Sequence, residues 1–113
     1  MVCVKRVYEK AEPSDGFRIL VDRLWPRGVK KEQAKVDLWM KDLAPSDALR
    51  KSFHHEAMKW PDFEKKFQSE LKKKTAWITE LKKLEKEHGT ITLLFGAKDE
   101  EHNQAVVLAK ELK

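Results

Sequence analysis

Six residues near the C-terminus, Thr90 to Phe95, constrain the fold of this chain more than any other run. Thr-Ile-Thr-Leu-Leu-Phe is β-branched or apolar throughout, and Gly89 and Gly96 close it on both sides. A strand without polar alternation has no solvent face, so other layers must cover it on both sides. After a Gly96 to Asp99 loop, Glu101 to Leu112 carries Ala105, Leu108 and Leu112 along one helical face. A strand followed by such a helix belongs to an α/β sheet, and those sheets place ligands at the carboxyl ends of their strands.

Two further strands precede this unit. Val2 to Tyr8 alternates and is β-branched, and Phe17 to Val21 is apolar except for Arg18. Between them, Glu12-Pro13-Ser14-Asp15-Gly16 reads as a turn, because proline presets φ and glycine supplies a positive φ. Pro26 ends the second run, since proline cannot continue a central strand. Lys30 to Lys35 suits one helical turn, while Val36 to Leu43 reads equally as a short strand or an extended segment. Ala44-Pro45-Ser46 then breaks the chain and offers Ser46 as N-cap to a helix from Asp47 to about His54. From Pro61 the period is helical, with Phe63, Phe67 and Leu71 on one face. A second helix from about Thr75 aligns Trp77, Leu81, Leu84 and His88 and stops at Gly89. The order predicts a single α/β domain over residues 1–113, a small, mostly parallel sheet of three to four strands flanked by helices.

At 113 residues the chain can build one hydrophobic core and not two. With 41% hydrophobic and 38% charged residues it has a highly charged surface without the composition of a disordered chain. No apolar run approaches the roughly 20 residues of a membrane span, and the N-terminus lacks a signal peptide's apolar stretch. The expected location is cytoplasmic. A single cysteine, Cys3, leaves no internal disulfide and no multi-cysteine metal site, and in its apolar run it reads as buried and inert. Twenty-four basic against 19 acidic residues give a charge of +5. Much of the excess is lysine between Lys65 and Lys83, interleaved with glutamate, which suits a solvated helix face better than a nucleic-acid stripe.

The chemistry gathers behind the strands. The first runs into Lys5, Arg6 and Tyr8, and the second into Asp22, Arg23 and, past Trp25, Arg27. The third delivers Lys98 and Asp99, followed by His102 and Asn103. In a parallel sheet these ends meet on one rim. Guanidinium groups hold phosphate or carboxylate in a bidentate manner, and the N-terminus of the last helix adds partial positive charge. The pattern is that of an anion site. Arg6, Arg23, Arg27 and Lys98 are its candidate ligand-binding cations, Asn103 a polar contact and Trp25 a wall. Asp22 and His102 are its acid-base candidates. Several also have a plainer alternative. An Asp22 pair with Arg23 or Arg27 would only pin the strand end, Trp25 suits a core edge, and His102 and Asn103 suit a helix start.

His54 and His55 beside Glu56 lack a second pair at helical spacing, which weighs against zinc, although His55 remains an acid-base alternative. His88, near a helix end, reads as structural. No glycine-rich phosphate loop, Gly-x-Ser-x-Gly or His-Glu-x-x-His occurs, and neither a metal nor a cofactor is expected. Trp25–Pro26 is an aromatic-proline bond of the kind that admits a cis peptide.

The run Val21-Asp22-Arg23-Leu24-Trp25-Pro26-Arg27-Gly28, with Glu12-Pro13-Ser14-Asp15-Gly16 before it, resembles the YeaO-like proteins of bacteria and archaea. These belong to the domain of unknown function numbered 488. Lys41-Asp42-Leu43-Ala44-Pro45-Ser46 and Ala97-Lys98-Asp99-Glu100-Glu101-His102-Asn103 match as well, so the resemblance spans nearly the whole chain. It implies no activity by itself. Longer relatives carry Cys-His-Arg after their last strand. His102 matches that histidine, whereas Glu101 and Asn103 replace the cysteine and arginine, so the resemblance carries no thiol chemistry onto this chain. His54 also stands where a small residue such as glycine is expected.

The first expectation is therefore a protein that binds an anionic small molecule at the carboxyl ends of its strands. That molecule bears phosphate or carboxylate and is nucleotide-like in one version, and catalysis is left open. The alternative is a non-catalytic nucleic-acid-binding or protein-interaction module that uses the Lys-rich helices. A regulatory subunit without a ligand is the third.

Overall fold

A computed structural model of the chain describes residues 1–54 and 59–113. Four strands, β1 (Val2–Arg6), β2 (Phe17–Leu20), β3 (Leu38–Trp39) and β4 (Ile91–Phe95), form one sheet in the order β1-β4-β2-β3. Each neighbouring pair is parallel. The α-helices are α1 (Lys31–Ala34), α2 (Asp47–His54), α3 (Trp60–Leu71), α4 (Thr75–His88) and α5 (Gln104–Glu111), with short 3-10 turns at Pro13–Asp15 and Lys41–Leu43. The fold is α/β with a parallel sheet, as the residue pattern led us to expect.

β4 is buried at all five positions, and its register shows why. Ile91, Leu93 and Phe95 face the larger core with Ile19, Val21, Phe63, Phe67, Leu71, Leu81, Leu84 and Leu108. Leu94 faces the other way, onto Val7, Leu20 and Ala34, with Trp25 and Val29 packed against them. Helices α3, α4 and α5 therefore supply one cover, and the β2–β3 crossover that contains α1, with Val7 just after β1, supplies the other. Each fully buried Leu, Ile or Phe contributes roughly 1.5–3 kcal/mol of burial, so the double cover of β4 is a principal source of stability.

Arg18 breaks the apolar pattern of β2 and is nevertheless buried, 3% exposed. Its Nη1 lies 2.5 Å from Asp15 Oδ2, and its Nε and Nη2 donate to the Ala34 carbonyl at 3.1 and 2.7 Å. Lys5 Nζ reaches the same Asp15 carboxylate at 3.2 Å and Glu12 at 2.9 Å. Burial alone would raise the Asp15 carboxyl, but bonds from the Glu12 N–H, Lys5 and Arg18 outweigh it and hold the group below its ordinary value. An unpaired guanidinium in this position would cost several kcal/mol. The Pro13–Asp15 turn therefore carries the counter-charge of the central sheet, and it engages Lys5 there. Gly16 makes the turn possible. Its φ is 65°, and a Cβ added there would fall 2.2 Å from the Thr90 carbonyl oxygen.

Several expectations need correction. Cys3 is half-buried because β1 is an edge strand. Trp77 stays 40% exposed, while Ile78, about 100° further round α4, packs on the core instead. His88 needs no correction: it is structural as expected, its ring stacking on Phe17 with centroids 4.2 Å apart. α5 starts at Gln104, later than Glu101, because Asn103 is its N-cap. The Trp25–Pro26 bond is trans, the isomer that X–Pro bonds generally favour. Among the described residues no helix is long and apolar enough to cross a membrane.

Candidate functional site

A parallel sheet gathers every carboxyl end on one side, and a cleft of about 610 Å³ opens there. The segment after β2 supplies Asp22, Arg23, Trp25 and Arg27 to its lining, and the segment after β4 supplies Lys98, Asp99, His102 and Asn103. Arg50 and Phe53 of α2 and Phe63 of α3 form a further wall. Of the site candidates among the described residues, Arg6 alone stands outside the lining.

Asp22 accepts from the Gly96 N–H at 2.9 Å and from Gln104 Nε2. It forms no ion pair with Arg23 or Arg27, so the salt-bridge alternative does not describe this strand end. Burial pushes its carboxyl up to about 6, against the two hydrogen bonds that favour the ionised form. The fit is tight, since a Cβ at position 96 would stand 2.8 Å from Asp22 Oδ2. Trp39 Nε1 donates to the Asp22 carbonyl at 2.7 Å and holds the backbone. Trp25 packs edge-on to Trp39, centroids 5.5 Å apart, and donates to the Val29 carbonyl at 2.8 Å. It is a core-edge residue that also walls the cleft.

The cations divide into tethered and unpaired groups. Arg23 Nε donates to the Pro45 carbonyl at 3.0 Å and lies 3.9 Å from Asp47 Oδ1. Arg50 Nη2 donates to the same Asp47 oxygen at 3.2 Å, while Arg50 Nε is buried without a partner among the described residues. Behind them Lys74 Nζ donates to the Ala44 carbonyl at 3.1 Å. Burial holds its ammonium below the ordinary lysine value, with Glu70 opposing and Arg23 adding to the drop. Arg27 and Lys98 are exposed and form no ion pair among the described residues. Arg6 instead serves the scaffold. Its Nε donates to the Ala97 carbonyl at 2.9 Å, and its guanidinium lies 5.0 Å from the Tyr8 ring centroid.

His102 is oriented by Asp99, with Nδ1 2.9 Å from Asp99 Oδ2, and its ring lies 5.1 Å from that of Trp60. The His102 bond, then the N–H groups of Glu101 and His102, hold the Asp99 carboxyl below its ordinary value. Asn103 is buried; its Oδ1 accepts from the Val106 N–H at 3.1 Å and its Nδ2 donates to the Asp99 carbonyl at 2.9 Å. Both ends of the amide serve the helix start, which is the plainer alternative for this residue. His55 and the side chain of His54 lie outside the described residues. No group of three His, Cys, Asp or Glu able to hold a metal occurs among the described ones.

Sequence reading missed Arg50, Phe53, Phe63 and Gln104 as cleft residues. Arg50 and Phe53 stand three apart on one helix, a spacing that puts them on one face. Gln104 gives no local signal, because its partner Asp22 is 82 residues away.

Comparison with known proteins agrees with the strand-end resemblance. The chain is 45% identical over 109 residues to the uncharacterized protein YeaO of Escherichia coli (strain K12), covering 96% of this chain and 94% of that protein. It is 40% identical over 111 residues to the uncharacterized protein Rv3073c of Mycobacterium tuberculosis, covering 98% and 92% respectively. No solved structure matches. A family model described as the inactive DUF488-N3 subclade matches residues 1–113, and the chain belongs to that family.

Proposed function

We propose that the protein binds an anionic small molecule in the cleft at the carboxyl ends of its strands. Arg23 and Arg27 clamp the anion, and Lys98 and Arg50 add charge. The observation that carries this reading is the surplus of cation there. Among the described residues, Arg27 and Lys98 enter the lining without an internal carboxylate partner, and the two lining carboxylates, Asp22 and Asp99, are held by hydrogen bonds from other groups. A volume of about 610 Å³ lies within the range of small-molecule sites, roughly 300–1,000 Å³. The family's description as inactive supports binding over catalysis. So does Glu101 at the position where longer relatives carry cysteine. If a reaction does occur, His102 held by Asp99, together with Asp22, would move the proton.

The test is calorimetric titration with inorganic phosphate and with a panel of phosphorylated and carboxylated compounds. Arg23→Ala/Arg27→Ala should weaken every binder at least tenfold while its melting temperature stays within a few degrees. Unchanged affinity overturns the reading, and so does unfolding of the double variant, which makes those arginines structural. Arg27→Ala alone, at an exposed side chain, separates the two effects. The Lys-rich helices support a nucleic-acid reading less well, because Lys74 is turned inward onto the Ala44 carbonyl. Steeply salt-dependent binding of oligonucleotides would favour that alternative.

A further inference from the structure

Two guanidinium groups in the cleft already share an anion. Asp47 Oδ1 lies 3.2 Å from Arg50 Nη2 and 3.9 Å from Arg23 Nε. Asp47 is 61% exposed, whereas both arginine side chains are only about a third exposed. A solvent-side carboxylate thus touches a more sheltered pair of cations, the contact a ligand head would make. Arg50 Nε adds an independent sign, since it is buried and no group among the described residues accepts from it. A desolvated donor left without a partner is a cost that an incoming acceptor relieves.

The second half of the site is aromatic. Phe53 lies one helical turn beyond Arg50 on α2, and its ring stands 4.5 Å from that of Phe63. Behind them, outside the lining, Trp60 stacks on Phe63 at 5.5 Å and reaches His102 at 5.1 Å. Leu24, Pro26, Ala44, Pro45 and Ala97 continue the apolar lining. A bare phosphate would occupy a small part of this space and leave its apolar lining unused. Flat rings fit such a wall because offset and edge-on stacking add to simple burial.

We infer that the ligand of this cleft joins an anionic head to a flat unsaturated ring, with the head between Arg23 and Arg50 and the ring against Phe53 and Phe63. This rests on the anion-binding reading and revises one part of it: Arg50 pairs with Arg23 at the head, and the exposed Arg27 adds charge from the rim. The ring is the base of a nucleoside monophosphate or the arene of an aromatic carboxylate; both present the same chemistry.

The full chain should be titrated with inorganic phosphate, acetate, adenosine, AMP, UMP, benzoate and indole-3-carboxylate. At least one ring-bearing anion should bind tenfold or more tighter than inorganic phosphate, acetate and adenosine. Whether the nucleotides or the aryl carboxylates lead identifies the source of the ring. Phe53→Leu should reduce that advantage to threefold or less and leave the weak binding of phosphate unchanged. Arg50→Gln should weaken both ring-bearing and bare anions. Asp47→Asn, at an exposed position that leaves the core intact, should tighten anion binding about threefold at low salt. Phosphate binding as tightly as any ring-bearing anion, with Phe53→Leu silent, overturns the ring inference and leaves the anion reading standing. Adenosine binding as tightly as AMP, or an Asp47→Asn variant with unchanged affinity, overturns the placement of the head. Absence of binding by every anion overturns both readings.

Discussion

Asp22 shows how far a single residue can be read without coordinates. Its place behind a strand marks it as a candidate acid, but its environment is set by Gly96 and Gln104, 74 and 82 residues away. No local pattern carries that information. The consequence is a definite pH dependence. The folded-state pKa of about 6 lies above the ordinary 3.8, so the folded protein holds this proton more tightly between those values. Asp22's contribution to stability is therefore greatest below pH 3.8, falls as pH rises through the window and is constant above about pH 6. The shift corresponds to a cost on the order of 3 kcal/mol at neutral pH. Asp15 works in the opposite sense: its lowered pKa gives stability that is lost on acidification, so the wild-type profile mixes the two. Asp22→Asn isolates the first effect, because its amide can accept from the Gly96 N–H and donate to a reversed Gln104 amide. Denaturation curves should show the variant gaining on the wild type by one to three kcal/mol between about pH 4 and pH 7. Parallel profiles over that range would show that the Asp22 carboxyl titrates normally.

At the scale of elements, what the residues reveal depends on whether the determining contacts are local. β4 is legible because a wholly apolar run permits only a doubly covered strand, and the Ser46 cap is legible because Ser46 Oγ accepts from the Leu49 N–H three residues on, at 3.2 Å. β3 is not, since a two-residue edge strand owes its existence to pairing with Ile19 and Leu20 of β2. Nor was Arg18 legible as a core residue, because its neutralisation depends on how the Pro13–Asp15 turn folds back under the sheet. That turn offers a sharp comparison of two glycines. Gly16 and Gly28 both have positive φ, 65° and 78°, yet a Cβ at Gly16 would meet the Thr90 backbone and one at Gly28 would meet nothing within 4 Å. Gly28→Ala should cost only the conformational penalty, about 1–2 kcal/mol. Gly16→Ala adds displacement of the neighbouring backbone, for a total of about 3–4 kcal/mol. Urea midpoints for the two variants measure the difference directly. Equal losses would mean that the turn shifts away from Thr90 without strain.

At the scale of the whole molecule, parallel strands explain why the site was partly legible. Once all carboxyl ends share one side, Asp22, Arg23, Arg27, Lys98 and His102 must assemble there whatever the details of the turns. The helix wall of Arg50, Phe53 and Phe63 was not legible, because nothing in α2 or α3 says which end of the sheet each helix crosses. The charge of the molecule is likewise divided between two regions. Arg23, Arg27, Arg50 and Lys98 line the cleft, whereas the exposed Lys72, Lys73, Lys82 and Lys83 on or beside α4 contribute nothing to its lining. Charges beyond a Debye length, about 8 Å at physiological salt, are largely screened from a ligand in the cleft. Replacing those four lysines with glutamine removes most of the +5 net charge without touching the proposed clamp. Anion affinity measured by calorimetry in 0.15 M salt, roughly physiological ionic strength, should then change by less than about twofold. Nonspecific attraction to an oligonucleotide should weaken, with a shallower dependence on salt. If small-anion binding collapses together with oligonucleotide binding, the lysine face is the functional surface. If it persists, recognition belongs to the strand ends.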